Sequence, residues 1–395
     1  MSWKATCVMD ERLRFILECE RGEQGLAEVC RTYGISRKTG YKWLARYQAG
    51  GMIGLKDRSR APKGRPQRTS EAVEERLVEL RGEHPTWGPK KLVAWLRDHE
   101  SEAAWPAPST VGELLHRAGL TVPRRRRRRP PPRGGGPLGT CTEANAVWSA
   151  DFKGQFLTAD GVWCYPLTIS DAASRYLLRC QALPSVGGVR VQPLFEAAFR
   201  EYGLPTAIRT DNGPPFAAGG LGGLTELVVW WIELGIRPDR GRPGKPQDNG
   251  RHERLHRTLK AETASPPAAT MRAQQIAFDH FRQTYNTDRP HEALGQRPPA
   301  TQYQPSGRPY PARIVPPTYP DADVSRIVRP NGTLRWRGAE IYVAAPLAGR
   351  PVGLTSQGDG QWDLAFGPLI LGILDERTGR VIPATPPRWT PPTND

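Results

Sequence analysis

Two aspartates of this chain occupy positions where chemistry is easier to explain than structure. Asp151 stands inside a strand-forming run, Trp148-Ser149-Ala150-Asp151-Phe152. A strand interior disfavours aspartate, and a buried carboxylate without a partner is costly. Asp211 ends another predicted strand and opens Asp211-Asn212-Gly213, a tripeptide that is also typical of an ordinary turn. Asp151 is therefore a candidate catalytic carboxylate on its own evidence. Asp211 is a candidate because it stands at the end of a strand, although an ordinary turn would also explain it.

A third carboxylate, Glu253, opens a predicted helix. At about 100° per residue, Glu253, Arg257 and Lys260 share one face of that helix. Leu255 and Leu259 point to the opposite side, which predicts that this side packs against the protein. The pattern fits a functional carboxylate flanked by two cations, and it equally fits an amphipathic surface helix.

Three carboxylates from two strands and a helix can together hold two divalent metal ions about 3.5–4 Å apart. One ion would activate a water or hydroxyl nucleophile, and the other would stabilise the leaving oxygen. Hard oxygen ligands favour Mg²⁺, and Mn²⁺ is expected to substitute. Because Arg257 and Lys260 lie beside Glu253, phosphate groups are the substrate chemistry that such a site would hold.

The N-terminal residues predict a module that binds DNA. Residues 9–47 read as three short helices, and the turn at Gly34-Ile35-Ser36 lets Ser36 cap the last of them. This is the helix-turn-helix order, in which the second element of the motif enters the major groove. A plain three-helix bundle is the alternative. The outward face of the last helix, which would contact DNA, carries Arg37, Lys38, Tyr41 and Lys42.

Residues 70–119 repeat the helical theme and predict a second helix-turn-helix, with Ser109 capping its last helix. A run of six arginines, Arg124–Arg129, and a stretch rich in proline and glycine follow. Such a segment cannot be buried, so it is predicted to be a linker. Arg124, Arg125 and Arg126 are expected to contact phosphates or a narrow minor groove, although a solvated tether is an equal alternative.

The distribution of charge favours a polyanionic partner. Lysine and arginine outnumber aspartate and glutamate 56 to 40, and residues 1–140 contain 28 basic against 16 acidic residues. A surplus of 12 out of 16 charges thus lies before the predicted core. A basic arm on a nearly neutral body suggests nucleic acid as the partner.

Other features narrow the class of protein. The six cysteines form no CxxC pair, and no signal peptide, membrane span or nucleotide-binding loop is recognisable. The expectation is a cytoplasmic protein that binds neither membrane nor nucleotide.

From Ala146 onward the pattern changes to strands and then alternates with helices, which is the ribonuclease-H-like order. Strands are predicted at residues 147–156, 162–169, 176–180 and 206–210, and helices at 191–202, 224–234, 251–262 and 271–285. After about Pro309 the short strands at 334–336, 341–343, 352–354 and 364–366 suggest a small β-barrel, with a loose tail at 384–395.

The motifs of this central region resemble one known family, the DDE transposases of bacterial insertion sequences with a retroviral-integrase-type core. The resemblance covers roughly residues 145–300 and extends to the paired helix-turn-helix modules. It rests on Trp148-Ser149-Ala150-Asp151-Phe152, on Tyr202-Gly203-Leu204-Pro205 with Thr210-Asp211-Asn212-Gly213, on Pro246-Gln247-Asp248-Asn249-Gly250 with Glu253-Arg254-Leu255-His256-Arg257-Thr258, and on Tyr285-Asn286, Arg289-Pro290-His291 and Leu294-Gly295.

The resemblance implies a multidomain α+β protein with a ribonuclease-H-like α/β core, a mixed sheet and a C-terminal β-barrel. Asp151, Asp211 and Glu253 would be its catalytic metal ligands, and its partners would be double-stranded element-end and target DNA and further copies of itself in a synaptic complex on the bacterial nucleoid. The expected domains are a helix-turn-helix at 1–60, a second at 69–122, a linker at 123–140, the core at 141–305, and the barrel with its tail at 306–395.

One departure and two alternatives accompany this interpretation. The spacer between Asp211 and Glu253 is longer than in many relatives, through a Gly-rich stretch at 217–224, so Asp248 and Glu262 are outside candidates for the third ligand. The core could belong to a DNA-binding regulator or domesticated remnant that no longer cuts. His252-Glu253-Arg254-Leu255-His256 also matches the H-E-x-x-H helix of zinc proteases, a remote alternative that explains neither the basic arm nor Asp151.

Overall fold

The computed structural model describes residues 7–58, 69–121, 141–152, 154–241 and 250–390, apart from the side chain of Arg251. It divides the chain into two units, Met1–Arg68 and Thr69–Asp395.

The first unit is a three-helix module, as its sequence predicts. It consists of α1 (Val8–Arg21), α2 (Leu26–Thr32) and α3 (Arg37–Gly54). The predicted cap is present, since the Ser36 hydroxyl accepts a hydrogen bond from the Thr39 amide at 3.2 Å. Gly40 lets α3 approach its neighbours, because an added Cβ would lie 2.5 Å from Cys30 Sγ. The buried side chains of this module are Phe15, Ile16, Val29, Cys30, Trp43 and Leu55.

The second unit begins with another three-helix module, formed by α4 (Glu71–Glu83), α5 (Pro89–His99) and α6 (Pro108–Arg117). The predicted cap by Ser109 is wrong: α6 already begins at Pro108, with Ala107 at the capping position and no side-chain cap. Proline suits the first helical position because its missing amide would be unpaired there in any case. This module has its own core around Leu77, Trp87, Leu92, Leu96, Val111 and Leu115.

A mixed sheet forms the centre of the second unit. Its strands are β1 (Val147–Phe152), β2 (Phe156–Leu157), β3 (Trp163–Asp171), β4 (Leu177–Leu183), β5 (Ala207–Thr210) and β6 (Arg237–Arg240). The order is β2-β3-β1-β5-β6, with β4 paired to β3. β1 is central, antiparallel to β3 and parallel to β5, so neighbouring strands surround the residues of β1 on both sides.

Four helices pack on this sheet: α7 (Gly188–Tyr202), α8 (Glu226–Glu233), α9 (Gly250–Thr263) and α10 (Met271–Thr287). Helix α10 covers the outer edge of β4. Gln275 bonds the amide of Ala182 and the carbonyl of Cys180, and Asn286 bonds both backbone groups of Leu177. These side chains satisfy backbone groups that an edge strand would otherwise expose.

The C-terminal residues form two antiparallel sheets. Strands β7 (Val324–Ile327), β10 (Pro351–Gly358), β11 (Gln361–Phe366), β12 (Leu369–Asp375) and β13 (Arg380–Trp389) make one sheet in the order β13-β12-β11-β10-β7, and β8 (Thr333–Trp336) pairs with β9 (Ala339–Tyr342). The described strands do not close on themselves, so the predicted barrel is not confirmed. The loose tail predicted from residue 384 is wrong for 384–389, which belong to β13; residues 391–395 lie outside the described ranges.

Part of the Gly-rich stretch at 217–224, which lengthens the spacer between Asp211 and Glu253, packs against the rest of the protein. Leu221 and Leu224 are buried, and an added Cβ at Gly222 would lie 2.9 Å from Leu371 of β12. Arg240 donates to the carbonyls of Gly222 and Gly223, each at 2.8 Å. The insertion therefore lies where the C-terminal sheet meets the core.

No helix among the described residues combines the length and apolar character needed to cross a membrane.

Candidate active site

Asp151 is the fifth residue of β1, at the end where burial gives way to partial exposure. It pairs in register with Thr168 of β3. Its carboxylate Oδ2 lies 3.8 Å from Nδ1 of His256, and the side chain retains 20% of its exposure. The predicted residue is thus at the edge of the core, where a carboxylate reaches solvent.

Asp211 follows the last residue of β5 and is exposed. The final β1–β5 register pair is Ser149 with Arg209, so Asp151 and Asp211 each lie two residues beyond it, at the carboxyl ends of neighbouring parallel strands. The Gly213 amide donates to Asp211 Oδ1 at 3.2 Å. This is the turn hydrogen bond that the sequence left open as the alternative explanation.

Glu253 lies in the first turn of α9 and is exposed, as are Arg257 and Lys260. Leu255 and Leu259 are buried, against Phe278 and Phe281 of α10 and Cys164 and Cys180 of the sheet. The two faces of α9 are therefore those that the helical spacing predicts.

The buried face of α9 also carries two histidines, which meet one hydroxyl of β3. Nε2 of His252 lies 2.6 Å from Thr168 Oγ1, and Nε2 of His256 lies 2.8 Å from the same atom. Thr168 Oγ1 also donates to the backbone carbonyl of Asp151 at 3.3 Å. Burial lowers the pKa of His252 to about 4, so its imidazole is neutral at physiological pH. The sequence placed these histidines on a helix, but their partner is distant in sequence and gives no local signal.

The three predicted carboxylates have the oxygen donors that a hard divalent ion prefers, but they do not form one cluster of ligand atoms. Within the described ranges, the group of three potential ligands whose atoms lie within 4.8 Å of one another is Asp151, His252 and His256. Asp211 and Glu253 are outside this group. Carboxylates of Asp151, Asp211 and Glu253, the last two exposed, would fit Mg²⁺ or Mn²⁺ better than a softer metal.

The zinc-protease alternative gains little from this geometry. Both Nε2 atoms of the H-E-x-x-H histidines are engaged with Thr168, and Glu253, the glutamate of that motif, is exposed. In a catalytic zinc site these nitrogens would be metal ligands with an open position for water.

Glu262, one of the two outside candidates for the third ligand, is committed elsewhere. Its carboxylate accepts hydrogen bonds from Arg289 and from the Thr86 hydroxyl, and Lys91 donates to the carbonyl of Pro290. These contacts, here called the module contact, join the second helical module to the core. The other candidate, Asp248, lies outside the described residues.

Besides the exposed Arg257 and Lys260 of α9, the predicted DNA-contact residues form two groups. Arg37, Lys38, Tyr41 and Lys42 of α3 are all exposed, whereas Trp43 is buried, and the Lys42 ammonium lies 4.8 Å from the centre of the Trp43 ring. Arg124, Arg125 and Arg126 lie outside the described residues.

Family models match four segments of the chain, which form two overlapping pairs. A helix-turn-helix domain matches residues 11–63, and a homeodomain-like domain matches 39–115. Two integrase core domain models match residues 142–246 and 234–299.

Curated relatives include proteins of two bacterial insertion elements. A 31.7 kDa protein of insertion element IS407 from Burkholderia multivorans is 28% identical over 250 residues, 63% of this chain and 87% of the relative. A 39.2 kDa protein of insertion element IS476 from Xanthomonas euvesicatoria is 28% identical over 239 residues, 60% of this chain and 65% of the relative. The Gag-Pol polyprotein of avian reticuloendotheliosis virus is 32% identical over 119 residues, 10% of its length.

Similar solved structures include retroviral integrases. The HTLV-2 integrase catalytic core in complex with magnesium has a TM-score of 0.32 at 16% identity and covers 40% of this chain and 97% of its own. The simian T-cell lymphotropic virus intasome, in complex with a PP2A regulatory subunit, has a TM-score of 0.36 at 18% identity and covers 80% and 95%. TM-scores of this size are low, so the domain assignment rests on the family models.

The chain thus combines segments that match helix-turn-helix and homeodomain-like domains with later segments that match integrase core domains. With the similarity to proteins of bacterial insertion elements, these matches confirm the resemblance predicted from its motifs.

Proposed function

We propose that this chain is a transposase that binds the ends of its element and catalyses metal-dependent strand cleavage and strand transfer. The observation that supports this most directly is the matched position of Asp151 and Asp211 at the carboxyl ends of parallel strands β1 and β5. Helix α9, which carries Glu253, contacts β1 through His256. In this proposal the two strand ends would supply two of the carboxylate ligands, and α9 would supply the third.

Asp151, Asp211 and Glu253 would hold two Mg²⁺ ions, with Mn²⁺ able to replace them. When bound, the ions would activate a water or a DNA 3′-hydroxyl and stabilise the leaving oxygen. The exposed Arg257 and Lys260 follow Glu253 by one and two turns of α9, where they would hold phosphates and orient the scissile strand. Their charge would also attract the polyanion to the acidic end of the sheet.

Recognition of DNA would come from the helical modules. The exposed residues of α3 would enter the major groove, and Arg124, Arg125 and Arg126 would add phosphate contacts. Cutting two element ends requires two copies of the site, so we also propose self-association into a synaptic complex. The domain limits remain part of this proposal. They are a helix-turn-helix domain at 1–60, a second at 69–122, a linker at 123–140, the catalytic core at 141–305 and the C-terminal domain at 306–395.

Incubating the purified chain with Mg²⁺ and labelled DNA taken from both flanks of its gene, where the element ends would lie, tests the proposal. Nicking and joining are expected with the wild-type chain and should vanish in Asp151→Asn, while DNA binding persists. Asp359→Asn is the matched control, because Asp359 is exposed in a C-terminal turn with positive φ that asparagine tolerates. Binding without any cleavage by the wild-type chain would instead support a non-catalytic regulator, and peptidase activity lost on removing zinc would support the protease.

A further inference from the structure

One buried hydroxyl connects β1, β3 and α9 immediately beneath the proposed site. Thr168 is fully buried on β3 and is the register partner of Asp151. Its Oγ1 contacts the carbonyl of Asp151 and Nε2 of both His252 and His256, at 3.3, 2.6 and 2.8 Å. Three elements of the core therefore meet at a single atom.

The hydrogen-bonding capacity of these groups makes the arrangement demanding. A hydroxyl carries one proton and two lone pairs, whereas a backbone carbonyl only accepts. When the single proton of Thr168 goes to the Asp151 carbonyl, both imidazoles must donate to the hydroxyl through Nε2–H; when it goes to one imidazole, the other imidazole must donate. Buried polar groups that lose such a partner cost more than the bond itself contributes, so the network favours one arrangement of the two histidines.

His256 carries this arrangement to the carboxylate. Its Nε2 is held by Thr168, and its Nδ1 lies 3.8 Å from Oδ2 of Asp151. Asp151 is thus approached twice, at its backbone carbonyl by Thr168 and at its side chain by His256. The first contact holds the backbone from which the carboxylate extends, and the second places an imidazole beside the carboxylate.

The same network sets the rotation of α9. His252 precedes Glu253, and His256 lies one turn later on the buried face. A rotation of the helix by one residue would turn every side chain by about 100°. Anchoring both histidines to Thr168 therefore determines the direction in which Glu253 emerges.

We propose that Thr168 is a positioning residue that, through His252 and His256, holds Asp151 and Glu253 in the arrangement in which they bind the same divalent ion. The inference rests on the proposed function, because it presumes that these carboxylates are metal ligands. Outer groups that orient ligands commonly change metal affinity by about 10- to 100-fold.

Binding of Mn²⁺ to the full-length chain, followed by the electron paramagnetic resonance signal of free Mn²⁺, tests the inference without relying on activity. Thr168→Val keeps the shape of the side chain and removes the hydroxyl, and it should weaken Mn²⁺ binding at least about 10-fold. Thr168→Ser restores the hydroxyl and should recover most of the affinity. The matched control is Thr263→Val, since Thr263 on α9 is also buried and donates to the Leu259 carbonyl at 2.7 Å, away from Asp151.

A merely structural role for Thr168 predicts that Thr168→Val and Thr263→Val lower the melting temperature similarly and leave Mn²⁺ binding unchanged, which would overturn the inference. If Thr168→Val does not fold, His256→Gln provides the test. Glutamine can still reach Thr168, but it places no group where Nδ1 faces Asp151, so weaker Mn²⁺ binding is again expected and unchanged binding would overturn the inference. A wild-type chain that binds no Mn²⁺ in an Asp151-dependent way would refute the proposed function itself, and the inference with it.

Discussion

Asp151 and Asp211 lie at equivalent ends of neighbouring strands, yet their surroundings differ. Asp151 has a buried hydroxyl and two imidazoles behind it, so its conformation is restrained from within the core. Asp211 is exposed and accepts one turn hydrogen bond from Gly213. A metal ion would therefore find one restrained ligand and one that can adjust, and the two residues should respond differently to substitution.

Asp211→Asn is expected to reduce Mg²⁺-dependent nicking at least about 100-fold, equivalent to about 2.7 kcal/mol of transition-state stabilisation. Stability should not change, because the asparagine Oδ1 can accept the same hydrogen bond from Gly213. Nicking assays together with thermal unfolding of the same preparation check both statements. Full activity in Asp211→Asn would remove this residue from the site, and a large loss of stability would make it a structural turn residue instead.

Elements with strong apolar periodicity could be predicted from the sequence, and elements defined by distant partners could not. The two faces of α9 followed from the spacing of Leu255 and Leu259. Strands β6, β7, β12 and β13 were not predicted. Arg237–Arg240 is polar and Arg380–Trp389 is rich in proline, whereas the short apolar run of β12 lacks the alternation of a half-buried strand. Prolines are tolerated in β13 because it is an edge strand, paired only with β12 in the described sheet.

The candidate site was predictable only in part, because contacts between residues that are distant in sequence leave no local pattern. Asp151 could be recognised because a mid-strand carboxylate conflicts with its surroundings. Thr168 could not, since it lies 84 and 88 residues from the histidines that it contacts. A threonine in a strand is ordinary, and its role arises from the pairing of β1 with β3 and from the packing of α9.

The module contact between the second helical module and the core is polar, and its centre is Glu262. Arg289, its partner, is almost fully buried, so Glu262→Gln should lower the free energy of unfolding by about 1.5–3 kcal/mol. Urea unfolding measures this. The matched control is Glu292→Gln, whose pair with Lys90 at 3.0 Å is mostly exposed and should contribute less than about 1 kcal/mol. Equal effects of the two substitutions would contradict a special role for Glu262.

His291, beside the same contact, should make stability depend on pH. Burial lowers its pKa from 6.5 to about 3, and Lys91 and Arg289 act in the same direction, with a smaller effect of Arg175, against the hydrogen bond to the Tyr285 backbone. The unfolded chain therefore binds a proton that the folded chain excludes, so stability falls as the pH falls from about 6.5 towards about 3, by up to about 1.4 kcal/mol per pH unit.

His291→Phe should lower the overall stability, since the hydrogen bond to Tyr285 is lost, but it should flatten this pH dependence. Urea unfolding of the wild-type and His291→Phe chains between pH 6 and pH 4 gives the free energy of unfolding as a function of pH. The carboxylates that both chains share contribute equally to the two slopes, so the difference between the slopes reports His291. Parallel curves would show that His291 is accessible to protons in the folded chain.

At the scale of the whole molecule, the uneven distribution of charge predicts that DNA binding and DNA cleavage depend on different parts of the chain. Residues 1–140 carry most of the net charge, whereas the proposed metal ligands belong to the core. In the proposed function the basic arm would supply most of the affinity for DNA, whereas the carboxylates would act on a phosphate only when divalent ions are bound. Binding should therefore persist without Mg²⁺, and cutting should not.

Phosphate contacts by the arginine run predict a particular salt dependence of DNA binding. Replacing Arg124, Arg125 and Arg126 with glutamine should reduce the slope of log affinity against log salt by up to about 3, because each phosphate contact contributes about 0.9. The control removes the same charge from the exposed Arg377, Arg380 and Arg388 in the C-terminal sheet. If both triple variants weaken binding to the same extent and with the same slope, net charge explains the effect. A slope that stays at the wild-type value in the first variant would make the arginine run a tether between the modules and the core.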